Sequence, residues 1–304
     1  MQRRQPVPLT HAHQRSGSLS CHGAAIRSVS PAEEPAVPLT RISYWNLPMV
    51  VRNKIEDATG IVTSATSVGE GLNSSVAALL STPTGSYFVK ALPSDHRWVW
   101  TQAREAEIAQ FVHPVAPALF KRVVDLGWDV LIFEALEGHQ ADYAPGSHDL
   151  QHTVDLLARI GELACPDLAL RQAEQRMRAY AEASELHYFA GEALLHTDLN
   201  NANVIVGGSR ARIVDWGWAT RGAPWLDAGY WVIWLIAAGH DPRSAERWAV
   251  HVPAWRTAPP QGVTAFAAAN ARIWQEAGGA DPDPWTRRLV DASGAWSHYR
   301  LTGR

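Results

Sequence analysis

An acid at position 198, an amide at 203 and a second acid at 215 are spaced so that one β-hairpin would bring them together. The chain reads His196-Thr197-Asp198-Leu199-Asn200-Asn201-Ala202-Asn203, then an apolar run from Val204 to Val206 and a Gly207-Gly208-Ser209 turn. A second apolar run follows and ends in Ile213-Val214-Asp215-Trp216-Gly217. Turn residues between two short apolar runs predict a hairpin, and its return strand would carry Asp215 back beside Asp198 and Asn203. Three oxygen-bearing side chains then share one small space. Magnesium takes oxygen ligands and prefers one or two carboxylates plus substrate phosphates over a full protein cage. The remaining carboxylate is free to accept a proton from an attacking hydroxyl, which is the equipment of phosphoryl transfer. Asp, Asn and Gly are also ordinary turn formers. The order of acid, amide, strand, turn, strand and acid, with Leu194-Leu195 and Ile213-Val214 as apolar flanks, separates this stretch from a common surface turn.

Lysine is scarce, with three against 24 arginines, so Lys90 inside Tyr87-Phe88-Val89-Lys90-Ala91-Leu92 stands out. A lysine on an apolar strand is costly to bury without an anion. Two readings are open: an edge lysine that snorkels to water, or one that pairs with an acid and grips phosphate. Glu105 on the following helix is the candidate partner, with Glu107 the rival on a different face. Upstream, Gly69-Glu70-Gly71-Leu72-Asn73-Ser74-Ser75 offers backbone N–H groups and the hydroxyls of Ser74 and Ser75 to a phosphate. It is neither a Walker A loop nor a dinucleotide fingerprint.

The elements that must position these groups are legible as periodicity. A short helix from Val50 to Gly60 precedes strands at 61–68, 76–80 and 86–92, a helix at 99–112, and a hairpin at 123–134 around Gly127. This is an antiparallel sheet of about five strands with one inserted helix. After Gly138 the chain reads as helices at 150–163, 172–189, 227–238, 263–277 and 284–299, with the motif hairpin as the only β structure. A sheet lobe joined to a helical lobe places a cleft between them, where ligand sites concentrate. The connector Leu131–Gly138 could present the main-chain groups of Glu134 and Leu136 to an adenine edge. It reads equally well as an edge strand running into a linker.

Composition bounds the function. At 304 residues the chain suits two lobes, divided at 46–138 and 139–304. A net charge of −3 provides no basic field for nucleic acid or an anionic membrane. Cys21 and Cys165 lie far apart, without zinc spacing, consistent with a reducing cytoplasm. Residues 1–45 read as a disordered tail without a secretory signal, and Met49 is a plausible alternative start. The apolar run from Ala228 to Ala238 is too short to span a bilayer. Nothing in the sequence speaks to oligomeric state.

On the strength of His196–Trp218 above all, and of residues 60–240 more broadly, the chain resembles the aminoglycoside phosphotransferase family. These are small-molecule kinases of the protein-kinase-like fold, related to choline, homoserine and fructosamine kinases. The resemblance implies a bilobal α+β fold and transfer of a γ-phosphate from ATP or GTP, with Mg²⁺, to a small-molecule hydroxyl. It assigns Asp198 as catalytic base and Asn203 and Asp215 as metal ligands. It also assigns Lys90 to the nucleotide phosphates, Glu105 to orienting Lys90, and Asp227 to bracing the catalytic loop. Asp227 reads independently as a helix N-cap. Trp216 replaces the phenylalanine of protein kinases, and the H-R-D arginine and A-P-E segment are missing, which argues against a protein substrate. A nucleotide-binding pseudokinase and a protein Ser/Thr kinase are the competing readings. From Asp241 onward six acids face eight arginines, so a polycation-binding tract is not evident, although folding could gather Glu182, Glu185 and Asp155. The fourteen tryptophans read mainly as core.

Overall fold

Val76, Ala78 and Leu80 alternate with Ala77 and Leu79, and Val89 and Ala91 alternate with Phe88 and Lys90. A period of two sends each set to its own face of a sheet. The computed structural model describes residues 41–69, 74–208 and 210–303, and it shows that sheet. Helix α1 (Met49–Thr59) leads to β1 (Ser64–Ser67), β2 (Val76–Thr82) and β3 (Gly85–Pro93). Helix α2 (Val99–Val112), β4 (Leu119–Asp125) and β5 (Trp128–Glu134) complete the lobe. The strands are all antiparallel in the order β1-β2-β3-β5-β4. Val76, Ala78, Leu80, Val89, Ala91, Val130 and Ile132 pack beneath Tyr44, Val51 and Ile55. The other face carries Lys90, paired in register with Ala77 and Leu131. Lys90 therefore sits mid-strand in the central strand of the sheet, which removes the snorkelling edge-lysine reading.

Beyond the connector 135–138 come β6 (His139–Gln140), α3 (Asp149–Ile160), β7 (Arg171–Gln172), α4 (Ala173–Met177) and β8 (Ala193–Leu195). The motif hairpin is β9 (Val204–Gly207) and β10 (Arg210–Ile213), followed by β11 (Thr220–Gly222). Helices α5 (Leu226–Ala237), α6 (Pro242–Ala249), α7 (Pro260–Gly278) and α8 (Pro284–Thr302) close the chain. Helix α5 is buried from Leu226 to Leu235 without a break, the mark of a helix surrounded on all sides. Ile108 and Val112 of α2 belong to the same core as α5, so α2 packs against the helical lobe as well as serving the sheet.

Four differences from the sequence reading have physical causes. The helix expected at 172–189 is only the five residues of α4, followed by turns and a 3₁₀ turn at Leu186–Tyr188. Tyr180 N–H and Ala181 N–H both close on the Met177 carbonyl in a turn, and the Tyr180 carbonyl accepts from Arg272 of α7. The helical lobe also holds more β structure than the motif hairpin: β6 pairs with β9, and β7 and β8 flank β11. These strands span two or three residues, too few to show alternation. Helix α6 starts at Asp241-Pro242, where the Asp241 side chain caps Ser244 N–H at 2.8 Å. Finally, residues 41–45 are not a tail. Tyr44 is fully buried in the sheet-lobe core, and Ile42 N–H donates to Ser75 O. The remainder of the expected tail, residues 1–40, lies outside the described residues. Among those described, no helix is long and apolar enough to cross a membrane.

Candidate active site

Strand β8 delivers the chain to His196, and from there a single carboxylate shapes the loop. Asp227 Oδ2 accepts from His196 N–H at 2.9 Å and Oδ1 from Thr197 N–H at 2.8 Å. The N-cap of α5 is Trp225, so Asp227 is spent on the loop and does not cap the helix. Burial pushes its carboxyl up to about 6 against those two N–H groups and the Arg176 charge. Thr197 is held at φ 67°, a left-handed conformation that a β-branched residue adopts only when its surroundings dictate it. The His196 ring is buried and bonded on both nitrogens: Nε2 donates to Val214 O at 2.9 Å and Nδ1 accepts from Asp198 N–H at 3.2 Å. That pattern fixes a neutral ring, and burial drops its pKa to about 4. His196 thus ties the loop to the return strand without entering the cavity wall.

The hairpin closes the arrangement. Val204 pairs with Ile213, and Val214 N–H donates to Asn203 O at 2.9 Å, so Asn203 and Asp215 leave the same end of the hairpin. Asn203 Nδ2 donates to the Asp198 carbonyl at 3.2 Å. Asp198 Oδ1 accepts from Asn200 N–H at 3.3 Å. Burial pushes the Asp198 carboxyl up to about 6, with the Asp215 charge adding and Asn200, Asn203 and Arg176 opposing. Asp215 itself is left-handed, at φ 69°. Together with Thr197, this puts two of the three non-glycine positive-φ residues among the described residues in the motif.

Lys90 joins the lobes. Its Nζ lies 2.8 Å from Glu105 Oε2 and 2.9 Å from Asp215 Oδ1. Glu107, the rival partner, is paired with Arg104 instead. Burial alone would lower the lysine, but Asp215 and then Glu105 outweigh it and hold the ammonium above its usual range. One cation cannot lower both acids equally. Asp215, despite its burial, is held below the ordinary carboxylate range by Lys90, whereas the deeper burial of Glu105 overrides the same charge and raises it.

A cavity of about 600 Å³ lies between the lobes, and Lys90, Glu105, Asp198, Asn203 and Asp215 all line it. Ser74 also lines it; Ser75 does not, and its carbonyl is taken by Ile42. Residues 70–73 of the glycine-containing loop lie outside the described residues. The connector forms another wall. Glu134 turns its carboxylate to Arg212 Nη1, 2.9 Å from both oxygens, and its N–H to Ala118 O. The Leu136 N–H makes no hydrogen bond among the described residues. Connector and hairpin approach so closely that a Cβ on Gly138, at φ 138°, would sit 2.2 Å from Val206 O.

From the helical lobe the cavity is also walled by Trp234 and Trp285, whose rings pack together, and by Leu289, Tyr143, Asp142 and Arg288. Of the four tryptophans near the motif, Trp216, Trp218, Trp225 and Trp231, all are buried, and Trp216 alone also lines the cavity. Glu182, Glu185 and Asp155 do not line the cavity. Local sequence holds no signal for these wall residues or for Arg176, because each reaches the site from a distant element, and none for the pairing of Arg212 with Glu134, 78 residues away.

The donor set fits a magnesium ion. Asp215 offers a carboxylate, and Asn203, with Nδ2 committed to Asp198 O, has an Oδ1 that accepts no hydrogen bond among the described residues. No cluster of three acidic, histidine or cysteine ligands exists among the described residues. Magnesium does not require one when phosphate oxygens complete its shell.

No protein-family model matches the chain, and no curated protein matches it by sequence. Solved structures match it in fold. Choline kinase LicA from Streptococcus pneumoniae aligns at TM-score 0.58 and 14% identity, over 82% of this chain and 98% of its own. A choline/ethanolamine kinase family protein from Mesorhizobium loti aligns at 0.57 and 15%, over 83% and 94%. A thermostable mutant of aminoglycoside phosphotransferase APH(4)-Ia, solved as a ternary complex with ADP and hygromycin B, aligns at 0.53 and 14%, over 84% and 99%. At such identity the likeness establishes architecture: this is the bilobal protein-kinase-like α+β fold shared by those structures.

Proposed function

We propose that the protein is an ATP- or GTP-dependent phosphotransferase that uses a hydroxyl of a small molecule as acceptor. The observation that carries this reading is the convergence of Lys90, Glu105, Asp198, Asn203 and Asp215 on one cavity between the lobes. Phosphoryl transfer asks a protein for positioning and charge neutralisation more than for covalent chemistry, and each of these groups supplies one or the other.

In this reading the Glu134 carbonyl and the free Leu136 N–H receive the adenine edge, and Ser74 and Lys90 hold phosphate oxygens. Glu105 keeps the ammonium in place. Asn203 Oδ1 and the Asp215 carboxylate are the groups that would hold magnesium, which when bound supplies positive charge to the phosphate oxygens. Asp198 orients the acceptor hydroxyl and takes its proton late in the transfer. With a carboxyl near 6 it is mostly ionised at neutral pH and can accept that proton.

The groups that the helical lobe gives the cavity narrow the substrate. Apart from Asp198 and Asp215 they include two charged side chains, Asp142 and Arg288, one of each sign, among indoles and aliphatic side chains. A compact alcohol with a ring or apolar body and at most one charge of either sign fits this wall better than a polycation, which needs several carboxylates. The wild-type protein, incubated with Mg²⁺, nucleotide and a panel of hydroxylated metabolites, amino alcohols, sugars and aminoglycosides, should add one phosphoryl group to a compact member of the panel. Phosphorylation of protein substrates, with no small alcohol accepted, would overturn the reading.

A further inference from the structure

Thr197 stands in the motif where the protein-kinase pattern has arginine, yet a guanidinium does reach it, from α4. Arg176 Nη1 donates to Thr197 Oγ1 at 2.7 Å and to Thr220 Oγ1 at 2.8 Å. Both hydroxyls are buried, and both pass their own protons to one acceptor, the Trp218 carbonyl, at 3.4 and 2.8 Å. The network is closed: two hydroxyls, one guanidinium nitrogen and one carbonyl, with each hydroxyl both accepting and donating.

Those partners belong to the two segments that flank the chemistry. Thr197 is the left-handed residue immediately before Asp198, and Trp218–Thr220 follows Asp215 and Gly217. The same guanidinium stands 6.0 Å from the Trp218 ring centre, and Arg171 stands 5.1 Å from it. Trp218 in turn packs edge-on against Trp100 of α2, at 5.0 Å between ring centres. Helix α2 is the element that carries Glu105, the partner of Lys90. Arg176 makes no ion pair among the described residues, so its hydrogen-bonding capacity goes to these two threonines and not to a carboxylate.

We propose that Arg176 is a positioning residue for phosphoryl transfer: it locks the loop bearing Asp198 to the segment that follows Asp215, and through Trp218 to the helix bearing Glu105. The inference rests on the phosphotransferase reading for its kinetic consequence, but not for its structural one. Loss of a tie that fixes two reacting groups degrades alignment, and a misplacement of about 1 Å from a residue outside the chemistry costs on the order of 100-fold in rate. Arg176 does not line the cavity between the lobes, so nucleotide affinity is not expected to depend on it directly.

The test compares wild type, Arg176→Gln and Arg176→Lys in the full chain, by steady-state kinetics, melting temperature and amide hydrogen exchange. For Arg176→Gln, kcat should fall about 100-fold with nucleotide KM and melting temperature essentially retained. Arg176→Lys, which restores a charged donor without the planar fork, should recover part of that loss. Exchange should rise in the segments 194–200 and 218–222 of the Gln variant and stay unchanged in α8. Wild-type kcat and wild-type exchange in Arg176→Gln would overturn the proposal, as would a fall in kcat that Lys does not lessen. If Arg176→Gln does not fold, Thr220→Val, which removes one of the two hydroxyls that Arg176 reaches, decides alone: kcat below wild type with melting temperature retained supports the lock, and full activity overturns it. A wild-type protein that transfers no phosphate sinks the phosphotransferase reading, while the exchange pattern still answers whether Arg176 holds the two segments.

Discussion

Lys90 Nζ lies 2.9 Å from Asp215 Oδ1 although 125 residues separate them, one on the central strand of the sheet lobe and the other at the end of the motif hairpin. With Glu105 at 2.8 Å on the same ammonium, two acids share one cation. Replacing Lys90 with methionine leaves both acids facing each other with no counter-charge. Breaking a buried pair this way costs about 3–5 kcal/mol, and the lower end applies because Asp215 keeps a quarter of its side-chain exposure. Chemical denaturation of Lys90→Met should show that loss, and Lys90→Met,Glu105→Gln should recover part of it.

Asp198 is the candidate base. Asp198→Asn keeps an oxygen for the Asn200 N–H but cannot take a proton. Its kcat should fall by about 100- to 10,000-fold, the usual range for a lost general base, with nucleotide affinity close to wild type. Wild-type turnover should itself decline as pH drops through about 6, where the carboxyl protonates. A variant with full activity would remove Asp198 from the chemistry.

Asp227 satisfies two buried N–H groups that have no other acceptor. Leaving a buried donor unmatched costs about 1–3 kcal/mol each, so Asp227→Ala should lose more stability than Asp227→Asn, which keeps one oxygen. Because Thr197 is held left-handed by the same carboxylate, kcat should fall in both variants, more in Ala. Equal melting temperatures for wild type and Ala would contradict this role.

His196 links folding to pH. Its folded pKa of about 4 is below the ordinary 6.5, so between those values the unfolded chain binds the extra proton. The neutral ring contributes stability that is present above 6.5 and lost as pH falls toward 4, on the order of 3 kcal/mol in total. Asp198 and Asp227, whose carboxyls are raised to about 6, act with the opposite sign between 3.8 and 6, so the raw stability curve mixes the three. The difference between wild type and His196→Gln isolates the histidine. It should shrink steadily from pH 6.5 to 4, and a difference independent of pH would refute the linkage.

Local features were legible in the sequence and remote ones were not. The hairpin joining Asn203 to Asp215 is a short-range structure with turn residues at its tip, and the helix carrying Glu105 follows the strand carrying Lys90 closely enough to be paired by inspection. Ser74 and Ser75 are neighbours that a sequence treats alike, but one lines the cavity and the other gives its carbonyl to Ile42. The availability of the Leu136 N–H is a main-chain property and leaves no trace in residue type. The helix expected over 172–189 stops at Met177, and beyond it the Tyr180 carbonyl is held by Arg272, some ninety residues downstream, a contact that no local pattern reveals. Arg176, Trp234 and Trp285 reach the site from elements whose approach depends on the packing of the whole helical lobe.

The most direct test of the phosphate-site assignment is a calorimetric titration of nucleotide, with and without Mg²⁺, into wild type, Lys90→Met and Asp215→Asn. Wild type should show one saturable site that tightens with Mg²⁺; it should be lost or severely weakened in Lys90→Met and lose its Mg²⁺ dependence in Asp215→Asn. No nucleotide binding by wild type, or binding that neither substitution disturbs, would contradict the assignment.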